Sequence, residues 1–270
     1  MTLAGPSGIE WFAELRVDGT VAYRLGRDDA WLFAEWADVG SLRCDRAGGS
    51  AVFTADPSAD PKMVAKVQSG IAKALLRHLQ GKLTLHGCAV AFGRSAIACI
   101  GPAGAGKSSA AAELCTRPGF ALLSDDMARL ELDDGNCYVT PSDAEHFLHG
   151  DTREALAIER GAEDLKVYVS ASRVALDPAR LRALVALEFA DGDSPSLRRL
   201  RGHDLLATIL PCIPRMLVDD PLLQARELAQ LRTLCDMVPV YALSRPRQLS
   251  GLRAAGDLLE NLMEVRDADR

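Results

Sequence analysis

The chain has 270 residues, 48% of them hydrophobic and 25% charged, a composition ordinary for a globular protein and a length that suits one large domain or two small ones. Its formal net charge of −6 argues against a dedicated nucleic-acid binder, and no apolar run approaches the roughly 18 residues that a membrane-spanning helix needs. Met1-Thr2-Leu3-Ala4-Gly5-Pro6 lacks the basic and apolar parts of a signal peptide, and seven scattered cysteines contain no C-x-x-C pair. The expectation is therefore a cytoplasmic protein with no membrane partner, its thiols reduced and mostly buried.

Residues 1–56 read as a small β-rich domain. Residues 9–17 tend toward alternation, Asp18-Gly19 marks a turn, and residues 20–25 supply a hairpin partner. Residues 31–36 and 51–54 are further strand candidates. Trp11, Trp31 and Trp36 all fall here and are expected to fill a small sheet core, the alternative being an aromatic surface for a partner. An edge of such a sheet would accept a leader or partner peptide as an added strand. The turn-rich stretch 56–61 separates this region from a connecting helix within residues 57–81. There Asp60 caps and Pro61 occupies the first turn. Met63, Val67, Ile71, Leu75 and Leu79 recur at i+4 along it, as one packing stripe.

Residues 82–270 form the larger domain. A strand over 83–92 contains His86 and Gly87, a turn follows at Gly93-Arg94, and residues 95–100 are a short apolar strand. Next comes Gly101-Pro102-Ala103-Gly104-Ala105-Gly106-Lys107-Ser108, the G-x-x-x-x-G-K-[ST] pattern of a phosphate loop. Glycines let the backbone wrap phosphate oxygens closely, and the N–H groups form an anion nest at a helix N-terminus. Lys107 would reach the β- and γ-phosphates and the Ser108 hydroxyl would hold Mg²⁺. Alanine-rich residues 109–115, opening with Ser109, read as the helix that should follow, ended by Pro118-Gly119.

The apolar strand 120–124 runs into Asp125 and Asp126, where a parallel sheet would place its ligand site. Two adjacent carboxylates there divide naturally between Mg²⁺ binding and proton acceptance. A hairpin follows over 130–140. Residues 142–175 are polar and irregular apart from a strand at 166–169. Strands at 184–189, 196–200 and 240–243 and helices at 202–213, 222–238 and 249–265 complete the reading.

From His86-Gly87 through the 101–108 loop to Ser124-Asp125-Asp126, order and spacing resemble the HPr kinase/phosphorylase family over about 45 residues. The N-terminal part is most like the shorter HPr-kinase-related serine kinases, some of which tailor peptides, lasso peptides among them. The resemblance implies an α/β fold, a P-loop nucleotide-binding core of the HPr kinase C-terminal type behind a small β-rich domain. It implies ATP and Mg²⁺, with a possible homo-oligomer and a peptide or protein acceptor bearing a serine. By position, Lys107 and Ser108 would bind phosphate and Mg²⁺, Asp125 would hold Mg²⁺, Asp126 would be the general base, and His86 would lie near the transferred phosphate. Three features depart from the family: Ser109 replaces an acidic residue, Pro102-Ala103 replaces an acidic-serine pair, and no second signature is recognisable between Asp143 and Lys166. These departures speak against phosphorolysis and against HPr as substrate. Arg153, Lys166 and Arg173 are candidate phosphate-stabilising cations, with solvated surface charge as the alternative for each. His146 and His149 stand at i, i+3 without an evident third metal ligand. Rival readings are a small-molecule kinase, a switch-like NTPase and a nucleotide-binding module without catalysis.

Overall fold

The computed structural model describes residues 8–160, 163, 165–214 and 220–267, so the reading of residues 1–6 lies outside the described residues. The chain divides into two compact units, Met1–Lys82 with Arg215–Glu227, and Leu83–Pro214 with Leu228–Arg270.

In the first unit, β1 (Glu10–Val17), β2 (Thr20–Arg27), β3 (Trp31–Trp36), β4 (Gly40–Asp45) and β5 (Ala51–Ala55) form an antiparallel meander in sequence order. Strand β4 is not legible in the sequence, because only Leu42 and Cys44 carry its apolar alternation; both are buried. The buried face is aliphatic, built from Leu25, Leu32, Ala34, Leu42 and Cys44. The expectation of a tryptophan core is corrected: Trp11, Trp31 and Trp36 are only half-buried. Arg24 lies 3.9 Å from the Trp11 ring centroid, Arg43 4.7 Å from that of Trp31, and Trp36 stacks on Phe53 at 5.9 Å. The indoles thus present one face to a cation or a cross-strand ring and stay on the sheet surface.

Asp60 accepts the Lys62 N–H at 3.0 Å and starts α1 (Pro61–Val67). One π-turn over Gln68–Ala72 leads into α2 (Lys73–Leu79). A strict i+4 stripe drifts by about 40° per step around an α-helix, so the stripe cannot stay on one face. Met63 is exposed, whereas Leu75 and Leu79 are buried. The wider π-turn absorbs part of that drift.

The second unit contains β6 (Thr84–Phe92), β7 (Ser95–Ile100), α3 (Lys107–Thr116), β8 (Phe120–Ser124), β9 (Met127–Asp133), β10 (Asn136–Thr140), β11 (Glu145–Leu148), α4 (Gly150–Ala155), β12 (Val167–Ser170), β13 (Ala179–Phe189), β14 (Ser196–Arg199) and α5 (Gly202–Ile209). Helix α6 (Pro221–Met237) begins among residues grouped with the first unit, and β15 (Val240–Arg245) and α7 (Ser250–Asp267) follow it. The sheet order is β10-β9-β6-β7-β13-β15-β14, with β8 on β6. Among the described strands only β7–β13 and β13–β15 pair in parallel; β8 runs in the same direction as β7 but pairs antiparallel with β6 instead of joining them. Tyr138 and Val139 of β10 also pair with Arg180 and Ala179 of β13, so β6, β7, β9, β10 and β13 close on themselves. The fold is mixed α/β, with a β-rich N-terminal sheet and a mixed sheet that follows it in sequence.

Two apolar layers cover the mixed sheet. One face packs Leu85, Leu123, Val139 and Leu184 with Ile209 of α5 and Leu234 of α6. The other packs Val90, Ile97 and Leu122 with Leu114 of α3 and Leu259 of α7. Strand β7, Ser-Ala-Ile-Ala-Cys-Ile, is buried at every residue, which is why it shows no polar alternation. Between β10 and β13 the sequence leaves β11 and α4 unread, since neither exceeds six residues.

All seven cysteines are free thiols, six of them buried and Cys235 half-buried. Burial pushes the Cys115 and Cys137 thiols up to about 12, and burial together with Asp45 pushes Cys44 up to about 11. A thiol-disulfide reagent at pH 8 is therefore expected to label Cys235 well ahead of the other six, all seven reacting once urea unfolds the chain. Fast labelling of two or more thiols in the folded protein would contradict this burial pattern.

Candidate functional site

Gly87 organises the site. It pairs with Ile100 on β7, and on its other side its N–H donates to the Asp126 carbonyl at 2.9 Å. Adjacent strands lie about 4.8 Å apart, so the start of the glycine loop and the acid pair flank a single residue. A Cβ on Gly87 would come within 2.6 Å of the Cys99 carbonyl oxygen, which explains a glycine in mid-strand. His86 and Cys88, on either side of it, share one face of β6. On that face the Cys88 thiol donates to the Lys107 carbonyl at 2.9 Å.

Gly101, Gly104 and Gly106 have φ of 139°, 80° and 87°, values that favour glycine and turn β7 abruptly into α3. Pro102, Ala103 and Gly104 are exposed at the mouth of the loop, while Ala105 is buried behind it. Lys107 is 8% exposed. Its Nζ donates to the Gly101 and Pro102 carbonyls at 2.9 and 3.0 Å. Burial lowers its pKa, with Cys88, Cys212 and Asp126 opposing the shift. Burial raises the Cys212 thiol pKa, and the neighbouring Gly101 N–H and Lys107 oppose that rise. Ser109 Oγ lies 3.2 Å from Thr152 Oγ1, tying α3 to α4.

The chain bends between β8 and β9, which lie end to end along the same side of β6. The two aspartates at that bend sit in different surroundings. Asp125 is buried; it accepts the Phe147 N–H at 2.8 Å, its Oδ1 lies 3.5 Å from His146 Nδ1, and the Ser108 hydroxyl is near enough to favour its charged form. Desolvation raises its pKa, and the contacts with His146, Phe147 and Ser108 oppose that rise. Asp126 is half-exposed, with Oδ1 3.3 Å from His86 Nδ1. Lys107, Ser108, Asp125, Asp126 and His86 thus gather at the N-terminal end of α3.

The Ser108 hydroxyl and the Asp125 carboxyl together make a hard-oxygen donor pair. Among the described residues no group of three or more His, Cys, Asp or Glu could hold a metal ion by itself. Mg²⁺ usually takes one or two carboxylates and completes its shell with phosphate and water, so this pair suits it.

The sequence weighs His146 only as a metal ligand beside His149, and with β11 unread it gives no sign that His146 lies against Asp125. That strand carries its side chain under Asp125, while His149 stands exposed at the start of α4, so the two histidines do not converge. Of the three candidate cations, Arg153 is buried on the Leu148, Glu163 and Leu165 carbonyls and on Glu159, bracing the 148–165 segment. Arg173 binds the Cys115, Arg117 and Phe120 carbonyls, at the end of α3 away from the loop. Lys166 lies 4.5 Å from the Phe147 ring and within electrostatic reach of Lys107. Tyr168, also missed, stacks on Phe147 at 4.6 Å; burial, and then the charges of Asp126 and Asp125, push its hydroxyl up to about 12.

No family model matches the chain, and no curated protein matches it. Among solved structures it is similar to the Hpr(Ser) kinase/phosphatase from Coxiella burnetii, at 13% identity and a TM-score of 0.36, over 69% of this chain and 97% of that chain. No helix among the described residues is long and apolar enough to cross a membrane.

The burial of Asp125 has a measurable sign. Its folded pKa lies above the ordinary value of 3.8, so the folded state binds more protons between those two values and loses stability as pH rises through them. Asp125→Asn removes that cost and keeps an acceptor for Phe147. The variant is expected to melt above the wild type at pH 7, in the absence of Mg²⁺, with the gain vanishing as pH falls below 3.8. A variant that melts lower at pH 7 would show that the hydrogen bonds outweigh desolvation.

Proposed function

We propose that this chain is an ATP-dependent kinase that transfers the γ-phosphate to a serine hydroxyl of a peptide or protein. The observation that carries the reading is the contact between Ser108 at the loop and Asp125 at the β8–β9 bend, with the Asp126–His86 pair beside it. A site that only held nucleotide would need the first contact and not the second.

In this reading the loop N–H groups and the N-terminus of α3 receive the polyphosphate. Ser108 and Asp125 would hold Mg²⁺, which supplies charge neutralisation between phosphate oxygens. Lys107 exchanges its two loop carbonyls for phosphate oxygen and balances charge on the moving group. Asp126, half-exposed, accepts the proton of the attacking hydroxyl, and His86 at 3.3 Å fixes the orientation of that carboxyl group. Asp125 cannot share this task, because it is buried and engaged by Ser108, His146 and Phe147.

The test is intact-mass analysis after incubation with Mg-ATP and peptides encoded near the gene. One added phosphate on a serine-bearing peptide is the expected product. Asp126→Asn should keep Mg-ATP affinity and lower transfer about 10²–10⁴-fold, the usual contribution of a general base. Lys107→Ala should weaken both binding and transfer. Full transfer by Asp126→Asn would falsify the assignment of the base. Free phosphate released with every peptide unmodified would point to an NTPase instead.

A further inference from the structure

Arg245 ends β15, beside the glycine loop, and the sequence gives it no role. Its side chain is 3% exposed. Among the described residues its guanidinium has one protein acceptor, the Pro246 carbonyl, 3.1 Å from Nη1, and its buried Nε has none. No carboxylate is paired with it among the described residues. The plane lies 4.7 Å from the centroid of Phe189, its register partner on β13. Its Nη2 occupies the space where a side chain on Gly106 would begin. Gly106 is the N-cap of α3.

Three physical terms oppose this placement in the free protein. A buried guanidinium loses its hydration and recovers little of it from one carbonyl. Desolvation lowers its pKa accordingly. The N-terminus of a ten-residue helix carries positive partial charge, so a cation there is repelled. Lys107, the next residue after Gly106, adds a second cation. A buried charge is ordinarily paired or hydrogen-bonded. The missing partner here is an anion at the helix N-terminus, where a phosphate loop seats one.

We propose that Arg245 is a nucleotide-binding residue: its guanidinium, held flat by Phe189, pairs with a phosphate of the nucleotide seated on the 101–108 loop and forms the wall of that site on the Gly106 side. This rests on the nucleotide reading of the loop given above. Arg247 supplies an internal control, since it lies 4.5 Å from the same Phe189 ring and is exposed.

The experiment is calorimetric titration with Mg-ATP and with inorganic pyrophosphate, alongside thermal melting without ligand, for the wild type, Arg245→Gln, Arg245→Met, Arg245→Lys and Arg247→Gln. A charge-assisted hydrogen bond lost from the site corresponds to a loss of about tenfold to a hundredfold in affinity. Arg245→Gln and Arg245→Met are expected to lose that much for both ligands, Arg245→Lys to recover part of it, and Arg247→Gln to stay within about twofold, as an exposed charge should. Without ligand, Arg245→Met keeps the contact with Phe189 and is expected to melt at or above the wild-type temperature. Unchanged affinity in folded Arg245 variants overturns the inference, and a lower melting temperature with that unchanged affinity assigns Arg245 to scaffolding. If the glutamine and methionine variants do not fold, Arg245→Lys decides by the same affinity readout. A wild type that binds neither ligand overturns both this inference and the nucleotide reading. A wild type that binds Mg-ATP in an Arg245-dependent way but transfers nothing overturns the kinase reading alone.

Discussion

Hydrogen bonding on both sides of β6 at Gly87 sets the geometry of the site. A residue inside a sheet has two neighbours at one strand spacing, and here they are the last residue before the glycine loop and the second aspartate of the bend. Two stretches far apart in sequence are thereby held about two strand spacings apart. Glycine is required because the Cys99 carbonyl occupies the space a side chain would need. With Gly87 fixed, the positions of its neighbours follow from the pleat: Cys88 buttresses the first residue of α3, and His86 meets Asp126.

Charge in the second unit is segregated by what each group can reach. Arg153 and Arg173 spend their donors on carbonyls that brace the 148–165 segment and the far end of α3. Arg117 binds Glu113 at 2.9 Å and Asp257 at 2.8 Å, fastening the end of α3 to α7. These arginines are structural because carbonyls or carboxylates of the chain engage their guanidinium groups, even though the buried Arg117 Nε has no acceptor among the described residues. Lys107 and Arg245 differ. They lie at the opposite end of α3, where the helix dipole adds to their charge, and their partners are loop or chain carbonyls, which in the proposed nucleotide complex give way to phosphate oxygens.

The two aspartates show how neighbouring identical residues acquire different chemistry. Asp125 is enclosed by the Ser108 hydroxyl, the His146 ring and the Phe147 amide, so its oxygens suit a fixed ligand. Asp126 keeps access to solvent and lies 3.3 Å from the His86 imidazole, which suits the proton-accepting role proposed for it. Burial decides between them, and β11 supplies that burial.

Much of this was legible in the chain. The glycine loop between an apolar strand and an alanine-rich helix, the Asp125-Asp126 pair after a strand and the Asp18-Gly19 hairpin turn are local patterns, set by backbone sterics and short-range periodicity. Adjacent residues determined that a glycine-rich turn opens α3. The tertiary structure alone decided what surrounds it. The antiparallel setting of β8, the closure of β10 on β13, the placement of His146 under Asp125 and the approach of Arg245 to Gly106 all depend on pairings between residues tens of positions apart. Such pairings depend on strand register and on which face is buried, and neither leaves a short-range signal in segments of four to six residues such as β11 and α4. The tryptophans of the first sheet make the same point, since residue type alone could not say whether an indole is covered by a core or by an arginine.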